Sequence, residues 1–206
     1  GFVEMSSASE AEEAIEKFRG ELEGNPRSRE AATYGLVLAL TAGGRAEEAS
    51  LELDSVWSGS PERLEYIIAD AEIDIARNQP DRAVQKLSEQ VELSPGNHPL
   101  TMAYANALMK NRQPHIAEEV LIEQSRIRPN DPGLWYLLAE VQGLSGHIVG
   151  LHQSRAEYFI LNGNLSQAEK QLNYALKLTG NDYLANAKIT QRLRDIGVMR
   201  EQMENM

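Results

Sequence analysis

The side chains best suited to chemistry in this 206-residue chain are few and poorly spaced for it. Four histidines occur, His98, His115, His147 and His152. The last two are five apart on one expected helix, about 140° apart around its axis, which suits a shared metal badly. No cysteine is present, so there is no thiolate ligand, thiol nucleophile or disulfide. Asp70, Glu72 and Asp74 alternate along an expected helix, and only Asp70 and Asp74 share a face. They read either as a catalytic carboxylate pair or, with better support, as a solvated or peptide-facing acidic patch. The metallopeptidase pattern HExxH, a Gly-rich phosphate loop and the GxSxG elbow are all missing. No catalytic residue, metal site or cofactor is therefore expected within this chain.

Charge narrows the partners. With 20 Lys and Arg against 31 Asp and Glu, the formal net charge is −11, which repels a phosphate backbone and argues against nucleic-acid binding. The imbalance is local: residues 1–103 hold 20 acids and 9 bases, whereas residues 104–206 hold 11 of each. The longest nearly apolar stretch, Ala31 to Ala42, is 12 residues, well short of the roughly 20 that cross a bilayer, so no membrane span is expected. The chain starts with Gly and has no basic segment followed by an apolar one, so a fragment or a processed product is expected.

What must position these residues is a repeat. Pro61, Pro95 and Pro129 are 34 apart, with Pro26 another 35 upstream. Ala49, Ala83 and Ala117 keep the same interval, as do Leu53, Leu87 and Leu121. Tyr34, Ile68, Met102 and Tyr136 form a further series, and Val37, Ala71, Ala105 and Ala139 another. Each unit reads as two helices. Met102, Ala105 and Leu108 share one helical face before a break at Gln113-Pro114; Ala117, Val120, Leu121 and Gln124 share the next before Arg128-Pro129. Equivalent breaks fall at Gly43-Gly44, Gln79-Pro80, Ser145-Gly146 and Gly163-Asn164. Ser9, Ser60, Asp131 and Asn164 are expected helix caps.

The 34-residue helix-turn-helix unit resembles the tetratricopeptide repeat, with Trp135, Leu138 and Ala139 as its aromatic-Leu-small signature and Ala49, Ala83, Ala117 and Ala168 as its second-helix alanine. The resemblance implies an all-α, right-handed superhelix, an α-α solenoid of about eleven helices. Residues 1–8 read as a cloning scar or linker and 9–206 as the repeat array. Within it, 9–24 is the second helix of a truncated repeat, and hairpins span 30–60, 61–94, 95–128 and 129–161. The register then slips by half a repeat: Leu151 and Arg155 stand where Ala and Leu are expected, and Ala156, Phe159, Ala168, Leu172 and Ala175 resume the pattern 17 residues late. Residues 147–180 therefore form a shifted, overlapping hairpin, and 182–204 a terminal helix with Leu184, Ala187, Leu193 and Ile196 inward and Lys188, Arg192, Arg194 and Arg200 outward. The unpaired first helix, carrying Ala11, Ala14, Ile15, Phe18 and Leu22, is expected to leave an apolar face open to an upstream domain or, as a homodimer, to a second copy.

In such repeats the first helix of each pair lines the concave wall. The matching positions are Tyr34, Ile68, Met102 and Tyr136 in one row; Leu38, Glu72, Asn106 and Glu140 one turn later; and Gln153 and Glu157 after the slip. A groove so lined suits a protein or peptide partner anchored on aromatic side chains. Only Lys110 beside Asn106 approaches the basic set that grips a C-terminal carboxylate in chaperone-binding repeats, so that mode is not expected.

Two segments are more specific. Tyr34-Gly-Leu-Val-Leu-Ala-Leu40, and Leu134-Trp-Tyr-Leu-Leu-Ala-Glu140 followed by His152-Gln-Ser-Arg-Ala-Glu-Tyr-Phe159, resemble the C-terminal repeat domain of BepA-like periplasmic zinc metallopeptidases, the β-barrel assembly-enhancing proteases. That resemblance implies a periplasmic location and an upstream protease domain that holds HExxH and zinc. It also implies repeats that pack on the protease and meet outer-membrane barrel-assembly machinery or client proteins. The alternative is a free-standing repeat adaptor or scaffold in cell-envelope or secretion assembly, with no protease attached.

Overall fold

Backbone geometry recurs with the sequence period. In the computed structural model, which describes residues 8–24, 26–57 and 63–204, a left-handed residue (positive φ) closes a helix at Gly44, Asn78, Arg112 and Gly146, each 34 after the last, and at Gly163, 17 further on. At four of these turns a backbone N–H reaches back five residues: Arg45 to Leu40, Gln79 to Asp74, His147 to Gln142 and Asn164 to Phe159, at 2.8–2.9 Å. These bonds satisfy carbonyls that the helix end would otherwise leave bare. The resulting elements are eleven helices, without a strand among the described residues. They fall into two compact units, residues 1–111 and 112–206.

The first unit contains α1 (Ala8–Glu23), α2 (Arg29–Ala42), α3 (Ala46–Trp57), α4 (Leu64–Ala76), α5 (Pro80–Leu93) and α6 (His98–Lys110). Ser28 caps α2 and Asn97 caps α6, each accepting a backbone N–H through its side chain. Consecutive helices pack on one another, and α2 also touches α4, which touches α6. The first helices of successive pairs thus form one layer, with α3 and α5 behind it. Ala49 and Ala83 are fully buried, and Leu53 and Leu87 fill the space beside them. Small residues let helix axes approach, and truncating either leucine to Ala is expected to cost about 2–5 kcal/mol.

Two expectations for this unit change. Ser9 lies inside α1 rather than capping it, because the helix begins at Ala8. The open apolar face is also missing from α1. Ala11 and Ile15 are buried, Ala14, Phe18 and Leu22 pack beside Ile15, and the outward positions are Glu10, Glu12, Glu13, Glu16, Lys17, Glu21 and Glu23. All five apolar residues form a single stripe, so packing it against the rest of the unit leaves a charged exterior, as a terminal solenoid helix requires. Gly35 on α2 makes that packing possible, since a Cβ there would collide with the Phe18 ring. Arg19 and Arg45 fasten the outer face to Glu48 and Glu12 at 2.8 and 3.3 Å. The homodimer expected through α1 thus loses its apolar basis.

The second unit contains α7 (Pro114–Ile127), α8 (Pro132–Leu144), α9 (Ile148–Leu161), α10 (Leu165–Leu178) and α11 (Tyr183–Glu204). Asp131 caps α8 and Asn164 caps α10. Helix α9 packs on both α8 and α10, and Gly150 lies so near Gln142 that a Cβ would displace that amide. The inward face of α11 differs from the expected one. Ile189 and Ile196 are buried, while Leu184 is 67 % exposed and Ala187 is also outward. The inward stripe follows the seven-residue step from Ile189 to Ile196 with Arg192 and Leu193 between them, so two of the expected outward cations, Arg192 and Arg200, instead bind Glu157 and Glu169. The expected cap at Ser60-Pro61, the linker residues 1–7 and Asn25 lie outside the described residues.

Candidate protein-binding surface

The first unit's wall is built on α2, α4 and α6. Tyr34 stands half-buried on α2, its ring 5.7 Å from that of Tyr66, and its hydroxyl donates to the Glu65 carbonyl oxygen at 3.3 Å. Burial first, then the charges of Glu72 and Glu65, push that hydroxyl up to about 12, so it remains a neutral donor. Leu38, one turn on, is 38 % exposed. Met102 and Asn106 occupy the corresponding places on α6 and are partly exposed. Ile68 is only 8 % exposed and belongs to the core with Leu87, Leu100 and Ala103. It supports the wall rather than meeting a partner, because its branched side chain fills the space left by the small residues around it.

The three acids of α4 separate. Lys86 of α5 binds both Asp70 and Asp74, the latter at 2.6 Å, and Asp74 is almost wholly buried. Both are therefore occupied inside the hairpin, which corrects the catalytic-pair and open-patch readings for those two residues. Glu72 points elsewhere. Burial alone raises its carboxyl from the usual 4.5 to about 7, and among the described residues it has neither a cation nor a hydrogen-bond donor as partner.

In the second unit Tyr136 is 48 % exposed on α8, with Tyr158 of α9 at 5.6 Å and Phe159 at 5.5 Å from Tyr158. Glu140 is exposed and Gln153 partly buried. Glu157 is taken: Arg192 of α11 donates two hydrogen bonds to it, at 2.8 and 2.6 Å. Sequence spacing did not reveal this pair, because it depends on the rotation of α11. Three of the histidines have partners within this unit. His147 Nδ1 lies 2.6 Å from Glu118, with His115 edge-on to His147, and His152 Nδ1 lies 2.7 Å from the Gln171 side-chain oxygen. Among the described residues no set of three His, Cys, Asp or Glu is arranged to hold a metal.

Layered helix pairs, 34-residue turns and a mixed aromatic and polar wall define a tetratricopeptide-repeat domain, and residues 74–141 match that family. The fold agrees with solved repeat proteins. A thermophilic repeat protein of Thermus thermophilus superposes with a TM-score of 0.55, 17% identity and coverage of 90% of this chain and 91% of that one. One from Parabacteroides merdae gives 0.54 at 14% identity, covering 91% and 78%. By sequence the chain is distantly related to the β-barrel assembly-enhancing protease. It is 26% identical to the Escherichia coli K12 protein over 181 residues and 27% identical to the Yersinia pestis protein over 178. The matches cover 88% and 86% of this chain but only 37% of each relative. No helix among the described residues is long and apolar enough to cross a membrane.

Proposed function

We propose that this chain is the noncatalytic interaction module of a periplasmic metalloprotease. In that role it packs on a protease domain and binds the outer-membrane barrel-assembly machinery or its client proteins. The observation that carries the reading is the sequence relationship over 88% of the chain to proteases named for enhancing β-barrel assembly. Partly exposed Tyr34 in the first unit and Tyr136 in the second are consistent with it, since aromatic anchors supply a large part of protein-binding affinity. Catalysis and zinc then belong to residues outside this chain.

Two experiments test this. Sequencing the gene upstream should show an in-frame HExxH domain; a stop codon or an unrelated domain there would favour the free-standing adaptor. Purified chain should bind the purified barrel-assembly machinery of its own source. The double variant Tyr34→Ala, Tyr136→Ala should weaken that binding while keeping the helical circular dichroism of the parent. Equal binding by parent and variant would remove the wall from the reading.

A further inference from the structure

Resting on the reading of this chain as a protein-interaction module, we propose that Glu72 receives the guanidinium or ammonium group of an Arg or Lys in an extended segment of a partner protein, laid along the α2–α4–α6 layer with its neighbouring apolar side chain on Leu38.

Three observations converge on this occupant. The first is isolation in a partly desolvated place. Every other acid of α4 has a cation within the unit: Arg63 binds Glu65, and Lys86 binds Asp70 and Asp74. Glu72 has none among the described residues, and burial raises its carboxyl to about 7, so that it is ionised without a partner above that pH. A carboxylate withdrawn from water without a partner is unfavourable, and a cation brought to it recovers that loss.

The second is a precedent within the chain. Glu157 occupies the register position of Glu72 in the second unit, two and a half repeats later, and there the site is filled. Arg192, 35 residues further along, reaches Glu157 with two parallel N–H donors. The positions 34 and 35 after Glu72 are Asn106 and Ala107, neither of them a cation. The chain thus shows which chemistry completes this wall position, and at Glu72 it leaves that group to be supplied from outside.

The third is the field. Residues 1–111 hold 20 acids and 10 bases, and Arg45, Arg63, Arg77 and Lys86 are all bound to acids within the unit. An approaching basic segment is drawn to this unit, and an acidic one is repelled. The Tyr34 hydroxyl near Glu72 is neutral and adds no opposing charge. Leu38 offers apolar area one turn from Tyr34, which suits a segment alternating apolar and basic side chains.

The test uses the whole 206-residue chain and two dye-labelled peptides, acetyl-Ala-Leu-Arg-Leu-Ala-amide and the same peptide with citrulline for Arg. Citrulline keeps the shape and removes the charge. Fluorescence anisotropy at pH 8 should show the Arg peptide binding about 10-fold more tightly than the citrulline peptide, the usual scale for one charge-assisted pair. Glu72→Gln should abolish that difference. Asn106→Arg, which supplies the cation from within, should do the same. Carbon-detected NMR of the Glu72 carboxyl should show its titration midpoint falling when the Arg peptide is added.

Equal affinity for the two peptides, no binding of the Arg peptide, or an unaltered preference in Glu72→Gln would overturn the proposal. None of these results touches binding of the barrel-assembly machinery measured with the tyrosine variants, so the two readings fail separately.

Discussion

Glu72 and Glu157 occupy the same register position in the two units, and among the described residues only Glu157 has a cation beside it. In the second unit a terminal helix delivers Arg192 to Glu157; in the first, the corresponding positions of α6 are Asn106 and Ala107, neither of them a cation. The second unit has 11 acids and 10 bases, so most of its charge can be matched internally, whereas the first has twice as many acids as bases. Yet excess charge alone does not create an available site. Asp70 and Asp74 are one turn apart on the same helix as Glu72, and both are ion-paired with Lys86. What matters is whether the neighbouring helix presents a cation at the right height, a question of packing register rather than composition.

The comparison can be broken most forcefully at Lys86. Lys86→Ala leaves buried Asp74 without its cation, and urea unfolding should show a loss of roughly 3 kcal/mol, the low end for breaking a buried pair. A loss under about 0.5 kcal/mol would mean the ammonium is not compensating Asp74.

Glu72 itself should behave in the opposite sense. Its carboxyl is raised on folding, so the associated stability is fully present below about 4.5 and is lost as pH climbs through about 7. Glu72→Gln should therefore match the parent in acid and exceed it at pH 8 by about 2 kcal/mol after allowance for partial solvent screening. A pH-independent difference between the two stability curves would contradict the burial assigned to Glu72.

Arg192→Ala would convert Glu157 into a second Glu72. Because both side chains are partly solvated, the expected destabilisation is only about 1 kcal/mol. The sharper readout is a gain, in that the variant should bind the Arg peptide with a second, Glu157-dependent stoichiometry.

The smallest effect concerns the turns. Asn78 in the first unit and Arg112 in the second both adopt φ near 59°, which asparagine tolerates better than arginine. Arg112→Gly should raise the thermal midpoint by the equivalent of roughly 0.5–1 kcal/mol, and Asn78→Gly by less. The reverse order would show that side-chain contacts, not backbone strain, govern these turns.

Much of the fold was legible because its signals are local. Ala49, Ala83 and Ala117 recur at one interval since two helix axes can approach only over a small residue, and each is fully buried. Asp131 and Asn164 cap the helices they precede because a short polar side chain can reach the next backbone N–H. The terminal helices were read less well. The five apolar residues of α1 suggested an open face, but a single stripe is consumed by one packing partner. On α11, spacing favours Leu184 as inward while the structure buries Ile189, because a 22-residue helix of mixed polarity offers more than one plausible face.

The wall divides along the same line. Its rows follow from spacing, since residues 34 apart sit at equivalent heights on equivalent helices. Their availability does not. Ile68 sank into the core, Glu157 acquired Arg192, and Glu72 has no ion-pair partner among the described residues while Asp70 and Asp74 beside it do. By itself the sequence determined an all-α stack of helix pairs, its period and the side chains that recur on one face, because those depend on contacts within a repeat. Only the tertiary structure decided which of those side chains are spent on neighbours and which remain for a partner, because ion pairs and burial depend on how one helix is rotated against the next.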